Sequence, residues 1–218
     1  MILGLSGKAL AGKDAVADYL LDNYSWTRKT GFAINLKVAC MEVFNLTEFQ
    51  SFEQDGKGAK LETVRVVTKD ILQALIEWMK KTHDISLQDK DYSKLLGKKL
   101  YTPREIQQFV GTEIMRFYSP DYHLEVVFKS VDKNENVIIK DVRFENEAQA
   151  VLDNGGNLVR IYRPEELRAL HGAPIDSAHA SEVALDDWTD WSYSIQNDST
   201  DLNILYAQIN TMLEDLKI

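Results

Sequence analysis

The sequence has 218 residues, of which 44% are hydrophobic, and a formal net charge of −9. This length accommodates one α/β domain with a substantial core, and the negative charge argues against a general nucleic-acid-binding protein, which needs a basic face. A small phosphorylated ligand in a local basic cleft is compatible with it. Cys40 is the single cysteine, which excludes an intrachain disulfide and favours a reducing cytoplasm. The start MILGLSG lacks a basic leader and no apolar run approaches about 18 residues, so we expect neither export nor a membrane span.

The first twenty residues predict a buried strand over 1–6, a glycine-containing loop and a helix over 13–23. The loop reads GKALAGKD, which is the Gly-x4-Gly-Lys pattern of a P-loop. In such a loop, backbone N–H groups surround a polyphosphate, Lys13 reaches the β- and γ-phosphates, and the helix points its positive end at the same anion. We therefore predict a phosphate-binding site. The alternative is a glycine-containing turn that binds nothing.

Asp14 stands where an ordinary P-loop has Ser or Thr. A carboxylate is a hard oxygen ligand suited to Mg²⁺, and its charge is also favoured in the first turn of a helix. Metal binding and helix capping are therefore both open. We favour metal binding, because a carboxylate beside a polyphosphate is repelled unless a cation lies between them.

After this loop the sequence predicts a second strand and then mainly helices up to residue 118. Residues 46–62 lose periodicity and gather charge, which indicates a mobile surface loop. Thr102 is a candidate N-cap, with Pro103 at the first helical position. The predicted elements are a strand at 26–33 and helices at about 35–45, 63–82 and 103–118.

Strands and helices alternate again in the last third of the chain. Residues 164–190 within it are irregular and polar. The alternation indicates a parallel sheet flanked by helices, with right-handed crossovers and ligands at the carboxyl ends of the strands. The predicted elements are strands at 137–139, 158–162 and 193–196 and helices at 145–153 and 202–216.

Asp141 and Arg143 follow the apolar strand at the edge of the sheet where such ligands bind. An acid at the end of a buried strand can hold Mg²⁺ directly or through water, and an arginine two residues later can clamp a phosphate oxygen. The alternative is that both side chains cap the next helix or pair with each other.

A polar stripe is predicted on the helix at 103–118. Gln108, Thr112 and Arg116 lie four residues apart, and Glu113 lies beside them. Spacing alone favours a solvated face over a binding surface.

Further cations are candidate phosphate-binding groups. Arg163 and Arg168, with Arg160 before them, could close over a nucleotide and neutralise charge on a transferring phosphoryl group, although an irregular charged loop is usually only solvated. Lys37 could meet an acceptor phosphate, although a surface lysine is the default expectation. The four histidines show no metal-ligand spacing, so we expect no catalytic metal other than Mg²⁺ bound with nucleotide.

Five segments span nearly the whole chain in this order: Gly-x4-Gly-Lys-Asp at 7–14, Phe32-Ala33-x-x-Leu36-Lys37, Gln108 with Gly111-Thr112-Glu113-x-x-Arg116, Asp141-Val142-Arg143-Phe144-x-Asn146-Glu147, and His179-x-Ser181-Glu182. Together they resemble the deoxynucleoside monophosphate kinases of bacteriophages. The first and fourth segments are the specific parts. The Gly-Lys-Asp loop also occurs in phosphomevalonate kinases, which are similar in organisation.

The resemblance implies a P-loop nucleoside monophosphate kinase-like fold, with residues 1–218 as a single kinase domain, a helical acceptor-binding region at about 46–130 and a lid at about 163–190. It implies transfer of a phosphoryl group from ATP, with Mg²⁺, to a 2′-deoxynucleoside 5′-monophosphate, in the host cytoplasm if the chain is phage-encoded. Alternatives are a kinase of another phosphorylated small molecule, such as phosphomevalonate, and a nucleotide-dependent switch or interaction module. Neither nucleic acid nor a membrane is an expected partner, and a homodimer stays open.

The same resemblance assigns roles to individual residues. Lys13, Arg143 and Arg163 are the expected catalytic cations, and Asp14 and Asp141 the expected Mg²⁺ ligands. The family often has Thr where this chain has Ala15, which leaves no neighbouring hydroxyl. The expected ATP-binding residues are Gly7, Lys8, Ala11, Gly12, Lys13, Asp14, Ala15, Arg168 and Asn197, the last at the place where related kinases hold the donor adenine by backbone contacts. The expected acceptor-binding residues are Lys37, Gln108, Glu113, Arg116, Asp141 and Arg143.

Overall fold

The computed structural model of this chain describes residues 1–83, 90–132, 134–170 and 180–218. The strands in these ranges are β1 (Ile2–Ser6), β2 (Arg28–Thr30), β3 (Arg65–Val66), β4 (Lys99–Leu100), β5 (Val137–Val142), β6 (Asn157–Tyr162) and β7 (Tyr193–Gln196). The α-helices in them are α1 (Lys13–Asn23), α2 (Ile34–Phe44), α3 (Glu48–Phe52), α4 (Gln54–Gly58), α5 (Lys69–His83), α6 (Pro103–Gln108), α7 (Tyr122–Ser130), α8 (Glu145–Asp153), α9 (Glu165–Ala169), α10 (Ala180–Val183) and α11 (Leu202–Leu216). None of these helices is long and apolar enough to cross a membrane.

The described residues form two compact units. The first, here called the sheet unit, comprises Met1–Phe32 and Val127–Ile218. The second, here called the helical unit, comprises Ala33–Val126. That residues 1–218 act as one kinase domain, with an acceptor-binding region at about 46–130 and a lid at about 163–190, remains a prediction.

The sheet unit contains a five-stranded parallel sheet in the order β2-β5-β1-β6-β7. Since the strands are parallel, their carboxyl ends lie along one edge. The loop at 7–12 follows β1 at this edge, and Arg143, Arg163 and Asn197 follow β5, β6 and β7. The α/β fold with a parallel sheet flanked by helices is therefore confirmed.

Helices cover both faces of this sheet. Leu3, paired in register with Ile138 of β5, and Leu5 pack in one core with α1 and α11. Side chains alternate along a strand, so Gly4 points to the opposite face. There, Val151 of α8 lies 3.1 Å from the position that a Cβ atom on Gly4 would take. Each face of β1 is thus buried, which accounts for its unbroken apolar sequence.

Two predictions about the helical unit are wrong. Residues 46–62, predicted as a loop, contain α3 and α4. The Thr47 hydroxyl accepts a hydrogen bond from the Gln50 N–H (3.2 Å) while the Gln50 side chain accepts one from the Thr47 N–H (2.9 Å), so a capping box begins α3. The helix predicted at 63–82 begins only at Lys69, because the residues before it form β3 and pair with β4 as an antiparallel ribbon.

The helix predicted at 103–118 is present, but its backbone changes pattern after α6. Phe109–Arg116 forms a π-helix, in which each hydrogen bond spans five residues instead of four. Gln108 ends α6 and Arg116 ends this π-helix, and the predicted polar stripe of Gln108, Thr112 and Arg116 remains a prediction. π-Helical turns are rare in proteins, but those that occur are often found at functional sites. Large apolar side chains, including those of Phe44, Leu75, Ile106, Phe109 and Ile114, form the core of the helical unit.

The segment at 164–190 was predicted to be irregular, and this is wrong for its described part. It contains the short helices α9 and α10. Residues 171–179, which include His179 of the His-x-Ser-Glu segment, lie outside the described residues.

Candidate functional site

The loop between β1 and α1 makes a tight turn, with positive φ at Leu10 and Gly12. Gly12 has φ of 102°, a left-handed conformation that favours glycine, and Leu10 has φ of 64°. The Ala11 N–H donates to the Lys8 carbonyl at 3.1 Å. A Cβ atom on Gly12 would lie 2.6 Å from Nδ2 of Asn197, so only glycine fits here. The loop is therefore packed closely against the residues that follow β7.

Lys13 points back into this loop. Its Nζ donates to the carbonyl oxygens of Gly7 at 2.6 Å and Lys8 at 2.9 Å. Burial of the ammonium group, and then the nearby charge of Arg143, lower the pKa of Lys13 to about 7, against the opposing charge of Glu182. A lysine with this pKa changes its charge near neutral pH, so an anion that binds beside it will control its protonation.

We expect polyphosphate binding at pH 8 to take up about one proton per protein. Lys13 with a pKa of about 7 is mainly neutral at pH 8, and adjacent phosphates favour the charged form and raise its pKa. At pH 6 the lysine is protonated with or without ligand, so the uptake should nearly vanish. Calorimetry of tripolyphosphate binding in buffers of different ionisation enthalpy measures the uptake.

The matched control for this experiment is Lys13→Arg, because arginine stays protonated throughout this pH range. Uptake at pH 8 should be lost in the variant. Equal uptake in both proteins would contradict the lowered pKa of Lys13.

Asp14, in the first turn of α1, forms an ion pair with Lys140 of β5. Its side chain is 70% exposed. Although desolvation of the carboxylate acts in the opposite direction, the hydrogen bond and charge of Lys140 hold the pKa of Asp14 below its ordinary value. The carboxylate therefore remains charged at neutral pH and keeps an oxygen open to solvent.

Asp141 lies at the end of β5 beside the turn that follows β2. Its Oδ1 accepts a hydrogen bond from the Phe32 N–H at 2.6 Å. The negative charges of Asp14 and Asp141 both favour the protonated form of Lys13 and so act to raise its pKa. Mg²⁺ in proteins is bound through one or two carboxylates plus waters and substrate phosphates, and both side chains have oxygen donors of this kind. Among the described residues no cluster of three or more His, Cys, Asp or Glu side chains could hold a metal ion, so Mg²⁺ binding by Asp14 and Asp141 remains a prediction.

Arg143 is fixed at both its backbone and its side chain. Its N–H donates to Oε2 of Glu147 at 2.7 Å, and the Phe144 N–H donates to the same oxygen at 3.2 Å. Glu147 is only 2% exposed and occupies the start of α8. The Arg143 guanidinium forms an ion pair with Glu182 of α10. Glu147 therefore caps the start of α8. The Arg143 side chain points instead to the side of the sheet where the loop at 7–12 lies.

Arg163 and Asn197 form a buried brace behind the loop. Nη1 of Arg163 donates to Oδ1 of Asn197 at 2.8 Å and to the Ser199 carbonyl at 2.9 Å. Nδ2 of Asn197 then donates to the Ala11 carbonyl at 2.9 Å. In this structure both residues hold the loop in place. Their predicted contacts with ATP remain predictions.

The segment after β6 contacts the loop through charged groups. Nη1 of Arg168 donates to the Ala9 carbonyl at 3.4 Å, and Asp186 forms an ion pair with Lys8 at 3.2 Å. Lys8, Arg168 and Asp186 border a cleft of about 400 Å³ in the sheet unit. Its other lining residues include Ser6, Gly7, Arg143, Arg160, Tyr162, Arg163, Glu182 and Trp191.

The remaining predicted acceptor residues lie in the helical unit. Nζ of Lys37, on α2, lies 4.7 Å from the centre of the Phe52 ring. Glu113 forms an ion pair with Lys98. Gln108 ends α6, and Arg116 ends the π-helix. Their roles in acceptor binding remain predictions.

Sequence reasoning gave no role to several residues that the structure places at this site. Lys140 and Asp186 carry no motif and lie 126 and 178 residues from their partners. Glu147 and Glu182 belong to segments that resemble the kinases, and that resemblance was the one signal available for them. Ser181 of the same motif lies in α10.

The parallel sheet and the loop at the end of its first strand define a P-loop α/β protein. The chain is 28% identical, over an alignment 229 positions long, to a protein of Acanthamoeba polyphaga mimivirus named "Putative deoxynucleotide monophosphate kinase", with 99% of this chain and 97% of that protein covered. It is also 35% identical over 114 residues to "Uncharacterized protein ORF77" of Ictalurid herpesvirus 1 (strain Auburn), with 50% of this chain and 48% of that protein covered. No family model matches the chain. The resemblance noted in the sequence is thus confirmed as homology along the full chain to the mimivirus protein.

Proposed function

We propose that this protein transfers the γ-phosphoryl group of ATP to a 2′-deoxynucleoside 5′-monophosphate with the help of Mg²⁺. The observation that carries the proposal is the position of Lys13 and Arg143 at one edge of the parallel sheet, around one P-loop. The full-length homology to the mimivirus protein supports the same activity. Two cations near a loop of backbone N–H groups are the arrangement that phosphoryl transfer requires.

In the proposed reaction, a phosphate oxygen of the acceptor attacks the γ-phosphorus of ATP, and the bond from that phosphorus to the β,γ-bridging oxygen breaks to release ADP. No covalent enzyme intermediate is needed, because positioning and charge neutralisation account for most of the catalysis in this class. Lys13 binds the transferring group and Arg143 the acceptor phosphate. Asp14 and Asp141 would hold Mg²⁺, which would supply further neutralisation of phosphate charge.

The other predicted residues take supporting roles in this proposal. The backbone of residues 7–15 binds the donor phosphates, and Arg168 neutralises charge from the segment after β6. Arg163 would have to exchange its bonds to Asn197 and Ser199 to reach the transferring group. Lys37, Gln108, Glu113 and Arg116 bind the acceptor, a role supported by the family resemblance alone.

The proposal is tested by the products formed from ATP with and without a deoxynucleoside monophosphate. A kinase should form ADP and the deoxynucleoside diphosphate in equal amounts, and only when the monophosphate is present. Formation of ADP and free phosphate at the same rate without the monophosphate would contradict a kinase and indicate a nucleotide-dependent switch.

The metal role of Asp14 makes a separate prediction. We expect Asp14→Ala to raise the Mg²⁺ concentration needed for half-maximal rate far more than it lowers the melting temperature, and Asp14→Ser to restore part of the loss. If Asp14 only stabilises the start of α1, the substitution should cost about 0.3–1 kcal/mol of stability and leave the Mg²⁺ dependence unchanged. The measurement is a Mg²⁺ titration of activity beside thermal unfolding.

Lys140→Met is the matched control for this prediction, since it removes the ion-pair partner of Asp14 and leaves the carboxylate in place. It should lower stability slightly without weakening the response to Mg²⁺. Mg²⁺ titration curves of wild type and Asp14→Ala that overlap would contradict the metal assignment.

A further inference from the structure

Glu182 of α10 makes two contacts that a phosphate group would be expected to make. Its Oε2 accepts a hydrogen bond from the Ala9 N–H of the P-loop at 2.9 Å, and its Oε1 pairs with the Arg143 guanidinium. The Glu182 side chain is only 8% exposed. One backbone amide of the loop and one catalytic arginine are thus both engaged by a single enclosed carboxylate.

The charge of this carboxylate is maintained by its neighbours. Although desolvation of the carboxyl group acts in the opposite direction, the charge of Arg143 and the hydrogen bond from Ala9 hold the pKa of Glu182 below its ordinary value. Glu182 is therefore an anion at neutral pH, in a place whose other groups attract anions.

Two further contacts hold the same part of the chain against the loop. Asp186, four residues after Glu182, pairs with Lys8 at 3.2 Å, and Arg168 donates to the Ala9 carbonyl at 3.4 Å. Acidic groups thus engage a backbone amide and a lysine of the P-loop, and also Arg143. These are groups that the proposed function gives to phosphates.

We propose that Glu182 is an internal competitor for polyphosphate, and that it must leave the Ala9 amide and Arg143 before a nucleotide can bind there. This inference rests on the proposed function in taking the loop to bind phosphates. In the proposed function the donor polyphosphate needs the Ala9 amide and the acceptor phosphate needs Arg143. A polyphosphate on the loop and the Glu182 carboxylate are both anions that require the Ala9 amide, so they exclude each other there. Only the fraction of protein in which Glu182 has left the site can bind nucleotide, so the apparent affinity is reduced in proportion to that fraction.

The test measures binding of inorganic tripolyphosphate by calorimetry at pH 7 without Mg²⁺, so that neither a nucleoside nor turnover is involved. Glu182→Gln keeps the size of the side chain and removes its charge. Hydrogen bonds to charged groups contribute enough that this variant should bind tripolyphosphate about tenfold more tightly than wild type. Glu182→Ala, which removes both contacts, should gain at least as much and provides a second variant if the first is poorly folded.

Glu166→Gln is the matched control, since Glu166 is an exposed residue of α9 and its substitution changes the net charge by the same amount. Its affinity for tripolyphosphate should equal that of wild type. A crystal structure of the tripolyphosphate complex should place a phosphate oxygen, and not Glu182, on the Ala9 amide. Unchanged or weaker binding by both Glu182 variants, or the same gain in Glu166→Gln, would overturn the inference.

The inference and the proposed function can fail separately. If the Glu182 variants gain affinity but no deoxynucleoside monophosphate is phosphorylated, the kinase proposal fails and the competitor role stands. If phosphorylation is observed and the Glu182 variants gain no affinity, the competitor role fails and the kinase proposal stands.

Discussion

Replacing Lys13 with Met is expected to reduce turnover by about 10³-fold or more while the protein stays folded. Lys13 is the one cation of the P-loop pattern that points back at the loop carbonyls, where it can follow the transferring phosphoryl group. The measurement is the steady-state rate of diphosphate formation at saturating ATP and monophosphate, with circular dichroism to verify folding.

The control for Lys13→Met is Lys129→Met, which removes a positive charge from an exposed position on α7. It should retain the turnover of wild type. If Lys13→Met keeps more than about a tenth of wild-type turnover, which corresponds to less than about 1.4 kcal/mol of barrier stabilisation, Lys13 does not have the assigned role.

Arg143→Lys is expected to lower turnover by about tenfold or more although it preserves the charge. A guanidinium can donate to two oxygens in one plane, and an ammonium group cannot reproduce that geometry. The backbone of residue 143 is held by Glu147 through its N–H group, which lysine also has, so the substitution should leave the local fold intact. Steady-state constants for each accepted monophosphate measure the effect.

Arg28→Lys is the control for this change, because Arg28 begins β2 and therefore lies at the opposite edge of the parallel sheet. It should have the kinetic constants of wild type. Unchanged constants in Arg143→Lys with every accepted monophosphate would give Arg143 a purely structural role.

The sheet unit could be predicted from sequence because its signals are local. The apolar run before Gly7 indicated a buried strand, and the helices at 13–23, 145–153 and 202–216 have these same bounds in the structure. Thr102 was predicted as an N-cap, and its hydroxyl accepts a hydrogen bond from the Glu105 N–H at 3.2 Å. Periodicity and capping each involve residues within a few positions of one another.

The helical unit was harder to predict. The residues at 46–62 are charged and contain two glycines, which resembles a loop, but the Thr47 capping box is sufficient to begin a short helix. The π-helix at Phe109–Arg116 contains Gly111 and no proline, and a single glycine does not distinguish a π-helix from an α-helix. Local propensity is a weak guide where packing decides the backbone pattern.

The contacts that surround the P-loop could not be derived from sequence. Glu182 and Ala9 are separated by 173 residues, and Lys140 and Asp14 by 126. Charged side chains are the most common surface residues, so nothing in one sequence distinguishes those that meet a distant partner from those that are solvated. The family resemblance pointed to Glu182 without assigning it a function.

In the proposed reaction a deoxynucleoside monophosphate accepts the γ-phosphoryl group of ATP. The most direct measurement follows radiolabelled γ-phosphate from ATP into a panel of deoxyribonucleoside and ribonucleoside monophosphates and phosphomevalonate, with products separated by chromatography. We predict label in one or more deoxynucleoside diphosphates, at a rate that Lys13→Met abolishes. Label found only in phosphomevalonate diphosphate or in free phosphate, with none in any deoxynucleoside diphosphate, would contradict the claim.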